Sequence, residues 1–180
     1  MTKVLDKGFV EVMDSLGTDL TVANAARVSF GKRKTKWDKT DARLVRYLAK
    51  YKHFSPFRHL QVQFHIKAPE FVNKQASDGV LDDLQQKRMN DTYDQYMRQV
   101  DMTYYRMIEA GMAKEQARIV LPLSQYTEVY WTASFQAIMN FIELRDEVTA
   151  QWEIQQYAKV IKESTLEIYP ETTKIWGSQV

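Results

Sequence analysis

Two arginines sit in stretches where an unpaired charge would be expensive. Arg118 lies within Ala117-Arg118-Ile119-Val120-Leu121-Pro122, and Arg145 follows Phe141-Ile142-Glu143-Leu144. A guanidinium in apolar surroundings needs a carboxylate or phosphate partner. Two readings stay open: an internal ion pair, for instance with Glu115 or Glu143, or a planar clamp that grips an anionic ligand through paired hydrogen bonds. His53 and His59 bracket Ser55-Pro56-Phe57, and His65 supplies a third imidazole. No acidic helix motif accompanies them, so the expectation is a structural or ligand-contacting set, not a metal centre. The basic stretch Gly31-Lys32-Arg33-Lys34-Thr35-Lys36 is either a solvated connection or a rim that attracts phosphate. With no cysteine, thiol catalysis, disulfides and thiolate metal sites are excluded. Neither a Gly-Lys-Ser phosphate loop, nor Gly-x-Gly-x-x-Gly, nor His-Glu-x-x-His occurs.

These residues must be carried by a globular framework. The chain has 180 residues, of which 44% are hydrophobic and 27% charged, enough to build one domain over residues 1–180. A formal charge of +2 gives no global field toward nucleic acid or an anionic membrane, so an anion site must be local. No apolar run reaches the ~20 residues of a membrane span, and the first residues lack a signal-peptide core, so the expected location is the cytoplasm. Ten Tyr, eight Phe and four Trp suit either a small core or stacking surfaces and interfaces.

Local patterns then assign the elements. Residues 2–13 read as a strand or short hairpin around Gly8. Thr18 caps a helix running to Arg27, and Leu44, Val45 and Leu48 form the buried stripe of a second helix over 40–52, with Arg43, Arg46 and Lys50 opposite. Strict alternation over Leu60-Gln61-Val62-Gln63-Phe64-His65-Ile66-Lys67 is a half-buried strand closed by Pro69, which can start a helical turn through Phe71 and Val72. Residues 78–111 form one helix of about nine turns, long enough to suggest packing against a sister subunit. A short helix over 115–120, a strand over 125–133 and helices over 135–144 and 150–168 follow, with Pro170 as the stop. Strands and helices do not alternate as βαβ units, so the fold class is α+β, with an antiparallel sheet packed by long helices.

Four blocks, in order, now carry a family resemblance: Ala25-Ala26-Arg27-Val28-Ser29; His53 to His59 with Phe64 to Val72; Ala117 to Leu123; and Asn140 to Arg145 running into Ala150-Gln151-Trp152-Glu153-Ile154. The chain resembles the flavin-dependent thymidylate synthases from about Leu5 to Tyr157. The resemblance implies a homotetramer with active sites between subunits, converting dUMP to dTMP with FAD as hydride carrier, NADPH as reductant and methylenetetrahydrofolate as one-carbon donor. It fits a chain without a thiol nucleophile. By matching position, Arg118 and Arg145 would grip dUMP, one or both at the phosphate or the uracil edge, with Arg145 the catalytic residue. Ser29, His53, Ser55 and Asn140 would meet the flavin nucleotide, and Ser134 and Gln136 stand where the family places further flavin contacts.

The chain also departs from the family pattern. Arg58 stands where glutamate is common, and Thr149 where histidine is common. The signature Arg-His-Arg, then Ser, Asn-Glu, Ser and Arg-Tyr, is absent; it should follow Phe71-Val72, yet Asn73-Lys74-Gln75-Ala76-Ser77-Asp78 leads straight toward the long helix. The leading expectation is a chain break between Val72 and Gly79 that hides this segment, with a true deletion or a degenerate copy as alternatives. The rival function is a noncatalytic nucleotide or nucleic-acid binding homologue, in which Lys32, Arg33, Lys34 and Lys36 contact phosphates.

Overall fold

The computed structural model describes residues 1–69 and 82–178. The helical turn expected after Pro69, the break expected between Val72 and Gly79, and the expected helix start at Asp78 lie outside the described residues. The chain divides into two compact units, residues 1–68 with 126–180, and residues 69–125.

The first unit opens with the hairpin expected from the Gly8 pattern, β1 (Thr2–Val4) and β2 (Gly8–Leu16), the latter three residues longer than the apolar pattern implied. Gly8 is required by close approach: a Cβ there would overlap the Tyr157 hydroxyl and sit 2.7 Å from the Val4 carbonyl oxygen. After α1 (Asp19–Arg27) and α2 (Lys39–Lys50) comes β3 (Gln61–Pro69), whose buried Val62 and Phe64 obey the predicted alternation. β4 (Tyr126–Ser134) completes a four-stranded sheet in the order β1-β2-β3-β4. β1 and β3 each run antiparallel to β2, and Met13 is an extra residue between the pairs Val12–Phe64 and Asp14–Gln63, a bulge that bends the strand. Cross-strand contacts pair Gln63 with Thr132, His65 with Tyr130 and Lys67 with Glu128, an antiparallel order for β3 and β4 as well. The predicted fold class is therefore observed.

Three helices close this unit. In α5 (Phe135–Arg145) the Ser134 hydroxyl caps the N-terminus by accepting the Ala137 N–H at 3.3 Å. α6 (Trp152–Ile168) buries Tyr157, Ala158, Ile161 and Thr165. α6 stops at Ile168, just before Pro170, as expected; Pro170 then occupies the first turn of a further helix that the sequence pattern did not indicate, α7 (Pro170–Gly177), where its missing N–H has no helical partner to lose. The cap of α7 comes from far away, since the Asp19 carboxylate accepts the N–H groups of Thr172 at 2.7 Å and Glu171 at 3.2 Å. α7 brings Trp176 edge-on to Phe57 and Phe135, and Phe135 lies edge-on to Tyr169.

In the second unit α3 (Asp83–Glu109) begins at Asp82, whose carboxylate caps Gln85 N–H at 2.8 Å, and ends at Gly111 with φ 89°. Its 27 residues make it shorter than expected, about 40 Å at 1.5 Å per residue. α4 (Lys114–Ala117) leads into a 3-10 turn over Arg118–Val120, and the Tyr93 hydroxyl donates to the Ser124 hydroxyl at 2.9 Å. Among the described residues no helix is long and apolar enough to cross a membrane.

The aromatic side chains divide between the core and the surface. Phe57, Phe64, Phe135, Tyr157, Tyr169 and Trp176 are core, whereas Tyr47, Tyr51, Tyr93, Tyr96, Tyr105 and Tyr130 are exposed.

Candidate active site

The site grows from the end of α2. Lys52 adopts φ 57° and its N–H bonds the Ala49 carbonyl at 3.1 Å, while the His53 N–H bonds the Leu48 carbonyl at 2.8 Å. This is a Schellman closure with lysine in the left-handed position that glycine ordinarily fills. The reversal lays Phe54 against Trp176, ring centroids 5.3 Å apart, and starts the 3-10 turn Ser55–His59, whose Pro56 and Phe57 are buried.

Between this corner, α5 and α7 lies a hollow of about 290 Å³, lined by Ala49, Lys50, Lys52, Phe54, Asn140, Glu143 and Trp176. Asn140 and Glu143 stand three residues apart, hence on one face of α5. The Trp176 indole N–H donates to Glu143 Oε1 at 2.6 Å, which fixes that carboxylate on the wall. A second, more open hollow of about 410 Å³ adjoins at Lys50, lined by Arg43, Arg46, Tyr47 and Tyr51. Tyr47 contacts the Tyr51 ring at 4.6 Å and lies nearly parallel to His53, at 6.1 Å and 19°. Among the described residues Arg43, Arg46, Lys50 and Lys52 form no ion pair. The arrangement can hold a flat ring beside an anionic group.

The six residues expected to meet the flavin fall into three groups. Asn140 lines the first hollow, and His53 and Ser55 flank its Phe54 wall. Ser29 is exposed in the 3-10 turn Val28–Phe30 that follows α1, outside the lining of either hollow. Two others are engaged in the framework: Ser134 caps α5, and Gln136 Oε1 accepts the Arg58 Nε–H at 2.7 Å. The Arg58 bond accounts for one departure from the family pattern, because the unusual arginine faces an amide that accepts from it.

The arginines require a correction. Arg118 and Arg145 are exposed, and neither forms an ion pair with Glu115 or Glu143 or with any other described residue. The apolar neighbours that suggested burial are themselves largely at the surface, Ile119 at 84% and Leu144 at 67% exposure. An internal ion pair is thus removed for both within the described residues, leaving two guanidinium groups available to ligand. Arg145 ends α5, two residues beyond Glu143, in the first unit; Arg118 belongs to the second.

His65 has a different setting from His53 and His59. On the sheet, its Nε2 lies 3.2 Å from Glu128 Oε2, and its ring stacks on Tyr130 at 4.7 Å and meets Phe9 edge-on. Glu128, bonded by Lys67 as well, is held below its usual carboxylate range. Among the described residues no group of three metal-ligating side chains forms.

The basic loop is partly committed to structure. The Asn24 side chain bonds both the N–H and the carbonyl of Lys34, and Lys34 Nζ reaches Asp38 at 2.6 Å and Asp41 at 2.8 Å. Those two carboxylates raise the Lys34 pKa. Asp41 is also paired with Arg27 at 2.5 Å. The ion pairs of Lys34 take it out of the set expected to meet phosphates.

What sequence reasoning missed is the cluster of Tyr47, Lys50, Tyr51, Lys52 and Trp176. Its only sequence signal was a pair of tyrosines four apart on a helix face bearing Arg43, Arg46 and Lys50, which reads equally well as a solvated face.

A family model described as thymidylate synthase complementing protein matches residues 11–78 and 75–171. The chain belongs to the flavin-dependent thymidylate synthases. The flavin-dependent thymidylate synthase of Thermotoga neapolitana is 40% identical over 185 residues, covering 88% of this chain and 85% of that protein. A flavin-dependent thymidylate synthase of Thermus thermophilus is 36% identical over 209 residues, covering 93% and 74%. A crystal structure of the UMP/dUMP methylase PolB from Streptomyces cacaoi, bound with 5-Br UMP, superposes with a TM-score of 0.78 at 25% identity, covering 99% of this chain and 97% of that one. The resemblance first carried by four blocks thus extends to whole-chain matches within an enzyme family.

Proposed function

We propose that this chain reductively methylates dUMP to dTMP, with methylenetetrahydrofolate as one-carbon donor, FAD as hydride carrier and NADPH as reductant. The observation that carries the reading is the family match over residues 11–78 and 75–171, which includes Arg145 and every residue of the Asn140 hollow except Trp176.

The residues present fit a flavin nucleotide. Lys50 and Lys52 are cations without carboxylate partners among the described residues, Phe54 and Trp176 offer apolar walls, and the Asn140 amide makes no hydrogen bond with another described residue. The volume suits one ring system, and the adjoining Tyr47–Tyr51 hollow extends the surface available to the remainder. A bound flavin supplies hydride and mediates the one-carbon transfer.

The chain's own residues bind and orient. Arg145 and Arg118 hold the nucleotide, and Arg145 polarises the uracil by donating planar hydrogen bonds as negative charge develops. His53, Ser55, Ser29 and Asn140 position the flavin, with Ser134 and Gln136 acting chiefly through the geometry of α5. The active assembly is a cytoplasmic homotetramer, supported by the exposed apolar side chains along α3, among them Leu84, Met89, Tyr96 and Tyr105.

The test is direct. The purified protein with added FAD should show dUMP-dependent NADPH oxidation, and Arg145→Ala should abolish dUMP binding in calorimetry. A protein that retains no flavin and oxidises no NADPH on adding dUMP refutes the reading.

A further inference from the structure

We infer that Lys52, with Lys50 beside it, anchors a nucleotide phosphate in the hollow between α2, α5 and α7. Lys52 occupies the left-handed C′ position of α2, with φ 57°, closing the helix through the bonds Lys52 N–H to Ala49 and His53 N–H to Leu48. A side chain at this position is strained relative to glycine. Lysine would be a poor choice if the turn were all that mattered, since glycine makes the same two backbone bonds without the strain.

The side chain has a specific place to go. It lines the hollow of about 290 Å³ together with Lys50, Asn140, Glu143 and Trp176. Glu143 is the one carboxylate on that wall, and its Oε1 accepts the Trp176 indole N–H at 2.6 Å. Neither lysine lies within ion-pair distance of it, and among the described residues neither has another carboxylate partner. Two ammonium groups against one carboxylate leave an excess of positive charge beside an apolar wall. A helix C-terminus does favour cations, but Lys50 in the last turn already provides one without strain. A lysine ammonium is a compact point charge with three donors, suited to a phosphate that shifts during binding and turnover.

The inference rests on the functional reading above, which places nucleotides at this site. The phosphate could belong to the flavin dinucleotide or to the mononucleotide substrate, and the two are separable.

Lys52→Gly and Lys52→Gln are compared with the unaltered full-length protein in titrations with FAD, riboflavin and dUMP, alongside thermal unfolding. Lys52→Gly should raise the unfolding midpoint and yet weaken a phosphate-bearing ligand by about tenfold or more, the size of one charge-assisted hydrogen bond. Riboflavin affinity should stay unchanged. Loss confined to FAD assigns the lysine to the flavin diphosphate, and loss confined to dUMP assigns it to the substrate phosphate. Lys52→Gln should weaken binding without the gain in stability, because it keeps the strained backbone. A stabilised Lys52→Gly protein that binds FAD and dUMP as tightly as the unaltered protein overturns the inference while leaving the functional reading intact. An unaltered protein that binds neither FAD nor dUMP removes both.

Discussion

Asp41 is the one fully buried carboxylate among the described residues, and its loss should be felt throughout the first unit. It receives Lys34 Nζ at 2.8 Å, the Asp38 backbone N–H at 2.8 Å and the Arg27 guanidinium at 2.5 Å, tying α1, the basic loop and α2 together. Burial alone would push its pKa up, but the bonds from Lys34, Asp38 and Arg27 outweigh that and hold it below the usual carboxylate range. Breaking a fully buried pair costs ~3–5 kcal/mol. The Arg27 side chain is 16% exposed and that of Lys34 31%, so both can turn partly toward water once the carboxylate is gone. We therefore expect Asp41→Ala to cost about 2–3 kcal/mol, below the fully buried limit. At ~2–4 °C per kcal/mol for a chain of this size, the midpoint of thermal unfolding should fall by roughly 5–10 °C. The acid limb gives an independent check. A depressed folded-state pKa means that Asp41 contributes its full stability above about pH 4, the unfolded value, and loses it as pH falls through the folded one. Urea unfolding at neutral and acid pH should show that Asp41→Asn lacks this part of the acid loss. A neutral-pH cost below about 1 kcal/mol, or an acid slope equal to that of the unaltered protein, would refute the reasoning.

Three further perturbations follow from the packing. Gly8→Ala would place a Cβ onto the Tyr157 hydroxyl, 2.7 Å from the Val4 oxygen and 2.8 Å from the Lys67 oxygen, two of them backbone atoms that cannot yield easily. Overpacking of this kind should cost ~2–3 kcal/mol, read as a lower urea midpoint, and an unchanged midpoint would show that the hairpin shifts freely. Burial pushes the Tyr157 and Tyr169 hydroxyls up to about 12, so stability should hold to about pH 10 and fall as pH rises toward 12. Tyr169→Phe, which removes the hydroxyl donating toward the Leu16 and Gln61 carbonyls, should flatten that alkaline loss and cost ~1–2 kcal/mol at neutral pH; an identical alkaline curve would contradict the assignment. Arg58 and Gln136 should show a coupling of ~0.5 kcal/mol in a double-mutant cycle, and Arg58→Glu should be rescued by Gln136→Arg, which restores donor and acceptor with their roles exchanged.

Much of the framework was legible because its causes are local. The Thr18 start of α1, the stripe of Val45 and Leu48 in α2 and the alternation of Val62 and Phe64 in β3 depend on neighbours within a helical turn or on side-chain parity along a strand. The ordered blocks carrying Arg118, Asn140 and Arg145 likewise identified the family from the residues themselves.

Other features were decided by contacts between distant residues. Pro170 was legible as the end of α6 but not as the start of α7, whose cap comes from the Asp19 carboxylate about 150 residues earlier. Arg118 and Arg145 looked buried because their sequence neighbours are apolar, but burial depends on what packs above a turn or a helix end, and Ile119 and Leu144 have little packed upon them. The pairing of Arg58 with Gln136, the left-handed Lys52 and the hollow that Lys52 shares with Asn140 and Trp176 arise where the end of α2 meets α5 and α7. Periodicity specifies which face of each helix is apolar, and only the tertiary structure specifies which polar groups meet once those faces are buried against one another.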